Sequence, residues 1–175
     1  MIDVAINSDL DRFKIDEAKI RLLANKVLIH LGKSDQELSI QFSNTQEMAD
    51  LNSQYRDKDG STDVLSFPQQ EFDSPVLVNE TPESDGEEGS YPGLQGTLGD
   101  IVLSLDDALR NAKSIGHSLD AEVAFLIIHG ILHLCGHDHQ TVEEEKVMVS
   151  QQKILVELLR EGQNGSLWAG CVVSS

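Results

Sequence analysis

The side chains best suited to chemistry fall in one run, His129-Gly130-Ile131-Leu132-His133-Leu134-Cys135-Gly136-His137-Asp138-His139, which holds four of the six histidines of the chain. His129 and His133 are four apart, so on a helix they project from one face, where two imidazoles can share an ion. Gly136 stands where a helix leaves through a left-handed residue, after which the chain can turn back and bring His139 under the same ion. Three neutral nitrogens leave the fourth tetrahedral position to water, as in catalytic rather than structural zinc sites. Water so bound, with its pKa lowered to about 7, is a nucleophile at neutral pH. The spacing therefore points to one zinc ion per chain on His129, His133 and His139, used for hydrolysis. His137, four after His133, and Cys135 are rival third ligands. The first requires the helix to continue through Gly136, and the second points about 200° away from His133. Isolated histidines such as His30 and His117 read as hydrogen-bonded core residues.

His, His at +4, Gly at +7 and His at +10 is also the skeleton of the metzincin peptidases, in which a glutamate base follows the first histidine. Here that position is Gly130. A metzincin-like zinc metallopeptidase that takes its base from elsewhere is the alternative reading. Glu122, two turns before His129, can hydrogen-bond a ligand imidazole or serve as an ordinary helix charge. Asp138 can orient a ring nitrogen or stabilise its own turn.

The elements that must position these groups follow from periodicity. Ile2 to Asn7 reads as a strand. Asp16 to Leu31 reads as a helix with Ile15, Ala18, Leu22, Leu23, Val27 and Leu31 as apolar rows, ended by Gly32. Glu37 to Ser43 alternates as a half-buried strand, and Asn44 caps a helix to about Gln54. Thr62 to Phe67 is a strand stopped by Pro68, and Asp100 to Ser104 is another. Ala108 to Ile115, Leu119 to Leu134 and Val142 to Arg160 are helices, the middle one apolar and carrying the first two histidines. The fold class is mixed α/β (α+β), a small mixed four-stranded sheet packed with about five helices. With 175 residues, 39% of them hydrophobic, one domain is expected. It spans residues 1–161, with an acidic insertion at 69–97 that reads as a mobile surface loop or a long hairpin tip, and 162–175 is an irregular tail.

The formal charge of -17, from 30 acidic and 13 basic residues, argues by itself against nucleic acid as partner. The charge is uneven: Glu71, Asp73, Glu80, Glu83, Asp85, Glu87 and Glu88 crowd the insertion without a Lys or Arg. Arg12, Lys14, Lys19, Arg21, Lys26, Lys33, Arg56 and Lys58 concentrate in the first third. Arg12, Lys19, Lys26 and Lys33 recur every seven residues, so those on the first helix form a basic stripe that either guides a substrate or is a solvated face. Two cysteines make no disulfide framework, no targeting peptide is evident, and no apolar run spans a bilayer, so a cytoplasmic protein without a membrane partner is expected.

The histidine run resembles the signature of the YbeY family of metal-dependent endoribonucleases. Two further blocks match in order: Leu51-Asn52 with Tyr55-Arg56 and Thr62-Asp63-Val64-Leu65-Ser66-Phe67-Pro68, then Leu98-Gly99-Asp100-Ile101. The resemblance covers the chain to about Arg160. It implies a zincin-like fold, one zinc, and cleavage of single-stranded RNA in ribosomal RNA processing, small-subunit rRNA 3′ end maturation and ribosome quality control. Ribosome or small-subunit assembly proteins are the implied partners. His129, His133 and His139 match the family's ligands, with His133 also in a catalytic role, and Arg56 matches its essential arginine. A guanidinium stays charged and grips a phosphate in a bidentate way, which suits Arg56 to a developing phosphoryl charge. Asp100, Glu122, Asp138, Lys19 and Lys26 are further candidates for contact with the ligands or the substrate. Cys135, the long acidic insertion and the tail depart from the family pattern. A ribosome-associated binding protein with a structural metal is a third reading.

Overall fold

The computed structural model describes residues 1–7, 9–56, 60–82, 96–160 and 166–174. In chain order the elements are β1 (Ile2–Ile6), β2 (Phe13–Ile15), α1 (Glu17–His30), β3 (Glu37–Ser43), α2 (Thr45–Arg56), β4 (Val64–Pro68), β5 (Thr97–Ser104), α3 (Leu105–Ile115), α4 (Leu119–Leu134), α5 (Val142–Arg160) and β6 (Val172–Ser174). The four-stranded sheet runs β1-β3-β5-β4. β1 and β5 flank β3 in parallel, and β4 closes the edge antiparallel to β5. This is the expected mixed four-stranded sheet with five helices.

Local chemistry explains the boundaries. Asp16 caps α1 by accepting from Lys19 N, and Gly32 leaves it at φ 68°. Asn44 accepts from Glu47 N at 2.8 Å, the cap anticipated for α2, which continues two residues further than expected and ends on Arg56. Ser104 and Ser118 cap α3 and α4 in the same way. The buried row of α1 is Ile20, Leu23, Ala24, Val27 and Leu28, whereas Leu22 is exposed. The expected row was thus partly out of phase, because two adjacent leucines differ by 100° around a helix and only one can face the core.

α4 is buried along nearly its whole length and packs against β4, β5, α1, α3, α5 and β6. A helix that is apolar on all sides must sit inside a protein. Its approach to the sheet is close: a Cβ added to Gly130 would stand 3.0 Å from two side-chain carbons of Ile101 in β5. Two residues before Ile101 in the same strand, Gly99 has φ 140°, and a Cβ there would lie 2.2 Å from the Phe67 carbonyl oxygen of β4. Alternation along β4 and β5 then sorts the two faces of the sheet. Ile101 meets α4, and Ser66 lies within 3.4 Å of the Gly130 carbonyl, while Leu65, Phe67 and Val102 pack with Met48 of α2 on the other side.

The last residues correct an expectation. The tail from 162 to 175 was read as irregular, yet its described part, 166–174, turns back and adds β6 antiparallel to β2, a strand that periodicity did not show. Trp168, Cys171 and Val172 are buried there, and three-residue strands carry too few positions to display alternation. Lys58 and residues 83–95, which include the rest of the acidic insertion, lie outside the described residues. The segment 69–82 has no strand of its own, and in place of the mobile surface loop expected, Phe72, Val76 and Val78 pack against the core while Val76 and Asn79 bond the backbone of Cys135 and His30. Among the described residues no single helix is long and apolar enough to cross a membrane.

Candidate metal centre

His129 and His133 occupy successive turns of α4, with ring centroids 4.7 Å apart. The helix ends at Cys135, Gly136 takes φ 96°, and His137 N bonds back to the Leu132 carbonyl at 3.0 Å. That helix-ending pattern reverses the chain and delivers His139. Its ring lies 5.2 Å from His133 and 6.0 Å from His129. One ring nitrogen from each of the three falls within 4.8 Å of the others. They could hold a metal ion, as the spacing predicts.

Electrostatics favours the ligating, neutral form of the rings. Burial, reinforced by His133 and His139, pushes the His129 pKa down from 6.5 to about 4. Burial likewise lowers that of His133, with His139 and Arg56 acting in the same direction. Gln152 of α5 places its side-chain amide 3.1 Å from His129 Nδ1; with the amide turned so that its oxygen accepts from Nδ1–H, Nε2 would keep the lone pair a metal needs. Asp138 and the His137 backbone act on the His133 pKa in the upward direction, and burial outweighs them. The donor set and its surroundings thus suit a borderline cation such as zinc.

Both rival ligands are otherwise engaged. His137 is buried and its Nε2 lies 2.7 Å from the Val76 carbonyl, whereas Cys135 is fully buried with its thiol pushed up to about 12. His30 and His117 are hydrogen-bonded as isolated histidines should be: His30 to the Asn79 carbonyl at 2.7 Å, His117 to Glu122 at 2.6 Å.

The histidines floor a cleft of about 760 Å³ whose opposite wall is the edge strand, with Arg56, Thr62, Asp63, Ser66 and Asp138 around it. Arg56 is exposed at the end of α2, and its charge is felt at His133. Asp138 accepts from His139 N at 2.8 Å and also acts on His133, so it stabilises its turn and faces the site together.

Four other sequence candidates lie elsewhere. Glu122 faces His117, about 10 Å up the helix axis from His129 for seven residues of rise. Asp100 points to the face of the sheet opposite α4, because it alternates with Ile101. Lys19 donates to the Ala169 carbonyl at 2.7 Å, beside Gly170, whose N–H bonds Asp120 at the start of α4. Its ammonium therefore fastens the tail, about 14 Å in axial rise from His129. Lys26 is exposed on α1, without an assigned contact at the cleft. Sequence reasoning missed Gln152, although a signal existed: it is the one polar member of the buried row Met148, Gln152, Leu155 and Leu159.

A small mixed sheet backed by a buried helix, with three converging histidines and an arginine in one open cleft, defines a compact single-centre α/β hydrolase. The chain belongs to the YbeY family, whose model, described as Endoribonuclease YbeY, matches residues 5–160. Relatives of that name are 42% identical over 138 residues in Aquifex aeolicus (78% of this chain, 79% of the relative) and 34% identical over 168 residues in Shouchella clausii (95% and 100%). One from Lachnoclostridium phytofermentans is 40% identical over 122 residues (69% and 73%). The solution structure of a Thermotoga maritima protein superposes with a TM-score of 0.56 at 25% identity, covering 90% of this chain and 89% of that one. Membership makes the protein an endoribonuclease, a hydrolase acting on RNA phosphodiester bonds.

Proposed function

We propose that the protein is a zinc-dependent endoribonuclease specific for single-stranded RNA, that it acts in ribosomal RNA processing, including small-subunit rRNA 3′ end maturation and ribosome quality control, and that it works in the cytoplasm beside ribosomal or small-subunit assembly partners. The observation that carries the proposal is the convergence of three histidines and Arg56 on one cleft. His129, His133 and His139 would hold the zinc, whose Lewis acidity polarises a phosphoryl oxygen and acidifies water. Arg56 would hold the scissile phosphate by paired N–H donors and offset the charge that grows on its non-bridging oxygens. An always-charged group at the cleft mouth also gives an acidic protein a local anchor for a polyanion.

The peptidase reading loses support from position as well as from composition. Gly130, where a metzincin has its glutamate, faces Ile101 in the core rather than the cleft. The deciding experiment incubates zinc-loaded protein with single-stranded RNA and with casein, beside His133→Ala and Arg56→Ala. RNA cleavage lost in both variants, with casein intact throughout, is expected. RNA cleavage that persists in His133→Ala would mean a contaminant and remove the mechanism.

A further inference from the structure

The first part of the acidic insertion is fastened to the turn that follows the histidine-bearing helix α4, and to α1 and α5. Val76 N donates to the Cys135 carbonyl at 3.0 Å, and the Val76 carbonyl lies 2.7 Å from His137 Nε2. Three residues on, Asn79 N bonds the His30 carbonyl at 2.7 Å, and the Asn79 carbonyl is 2.7 Å from His30 Nδ1. Between them, Val78 N donates to Gln151 Oε1 of α5 at 2.6 Å. Phe72, Val76 and Val78 pack against the core cluster, and a Cβ added to Gly136 would touch Phe72 at 3.2 Å. Residues 72–79 therefore form a strap with two histidine-to-backbone clasps, one of them on the turn that delivers the third ligand.

We propose that His137 is a positioning residue for the metal centre: by gripping the Val76 carbonyl it locks the 135–139 turn, and so sets where His133 and His139 present their ring nitrogens. Gly136 N bonds the His133 carbonyl and His137 N the Leu132 carbonyl, so the turn hangs from the helical residues around His133, and His139 follows two residues after His137. These bonds fix the start of the turn, and the clasp of His137 on Val76 ties the next residues from outside, where the helix-ending bonds run out. Donation from Nε2 leaves Nδ1 of a side chain only 3% exposed without a partner. A buried unpaired nitrogen is costly, and a leucine would avoid it if filling space were all this position did. The strap gives His137 a task that leucine cannot perform.

This inference rests on the reading of the three histidines as a metal site. The test measures zinc affinity by chelator competition and the visible spectrum of the cobalt-substituted protein for the unaltered chain, His137→Leu and His137→Gln. Glutamine keeps a donor near the place of Nε2, and leucine keeps the bulk without it. His137→Leu should bind zinc about 10- to 100-fold more weakly, as for other losses of ligand support, with an altered cobalt spectrum. His137→Gln should restore most of both. Equal affinity in all three, or equal loss in Leu and Gln, would overturn the positioning role. Absence of zinc binding by the unaltered protein would overturn the metal reading, and this one with it. Should His137→Leu not fold, His30→Gln supplies a milder control at the far clasp, where Asn79 is held. Loosening the strap there should lower zinc affinity in the same direction, and unchanged affinity with a loosened strap, read by proteolysis within 72–79, would also refute it.

Discussion

Replacing Gly130 by alanine probes the contact between α4 and the sheet that places the histidines. In an exposed helix interior this change gains about 1 kcal/mol of helix propensity. Here the new methyl would stand 3.0 Å from Cδ1 and Cγ2 of Ile101 and 3.1 Å from its Cγ1. Ile101 is fully buried and held in β5 between two neighbouring strands, so it has little room to yield. Overpacking of that kind costs about 1–3 kcal/mol, which outweighs the propensity gain and leaves the variant about 1 kcal/mol less stable. The assay is urea unfolding followed by far-ultraviolet circular dichroism, with Ile101→Ala and the double variant completing a cycle. Ile101→Ala alone should cost about 2–5 kcal/mol. Because it removes all three opposing carbons, the double variant should be more stable than the sum of the singles by about 1–3 kcal/mol. A Gly130→Ala protein stabilised by the full helix increment, with no coupling to Ile101, would refute the packing argument. Gly130→Glu should fail to fold well rather than gain peptidase activity, since its carboxylate would enter the core without a partner.

Gly99→Ala should be more damaging, about 3–5 kcal/mol by thermal unfolding, because it combines a positive φ with a methyl 2.2 Å from the Phe67 carbonyl oxygen; a loss below about 1 kcal/mol would mean that β4 yields freely. Gln152→Leu, which keeps the volume but removes the amide 3.1 Å from His129, should weaken zinc binding about tenfold or more in chelator competition, and an unchanged affinity would deny it any role. Cys135 and Cys171 have thiols pushed up by burial to about 12, so native protein at pH 9 should resist iodoacetamide until it is unfolded. A folded-state pKa raised above the ordinary 9.0 means that this stability is fully present below pH 9 and lost as pH rises through about 12. Alkylation of the native protein at free-thiol rates, or stability that climbs over that range, would contradict the burial.

The metal triad was legible because helical spacing and a helix-ending glycine are local geometry: His129, His133, Gly136 and His139 lie within eleven residues. Four strands and five helices were legible for the same reason, as was the cap at Asn44. The roles of Glu122, Asp100 and Lys19 were not. Each is a polar residue whose partner is chosen by packing: His117 for Glu122, the far face of the sheet for Asp100, the tail carbonyl for Lys19. β2 and β6 escaped notice because a three-residue strand has no period to read, and its stability comes from a partner about 160 residues away in sequence.

By itself, then, the sequence determined which three histidines could hold a metal ion, the number and kind of the principal elements, and the absence of a glutamate base after His129. Tertiary structure alone decided that Gly130 faces Ile101, that Arg56 shares a cleft with the histidines, and that the strap of residues 72–79 clasps the turn carrying His139. The division has one physical cause: periodicity and turn chemistry act over a few residues, whereas the partner of a buried polar group is fixed only when distant segments pack together.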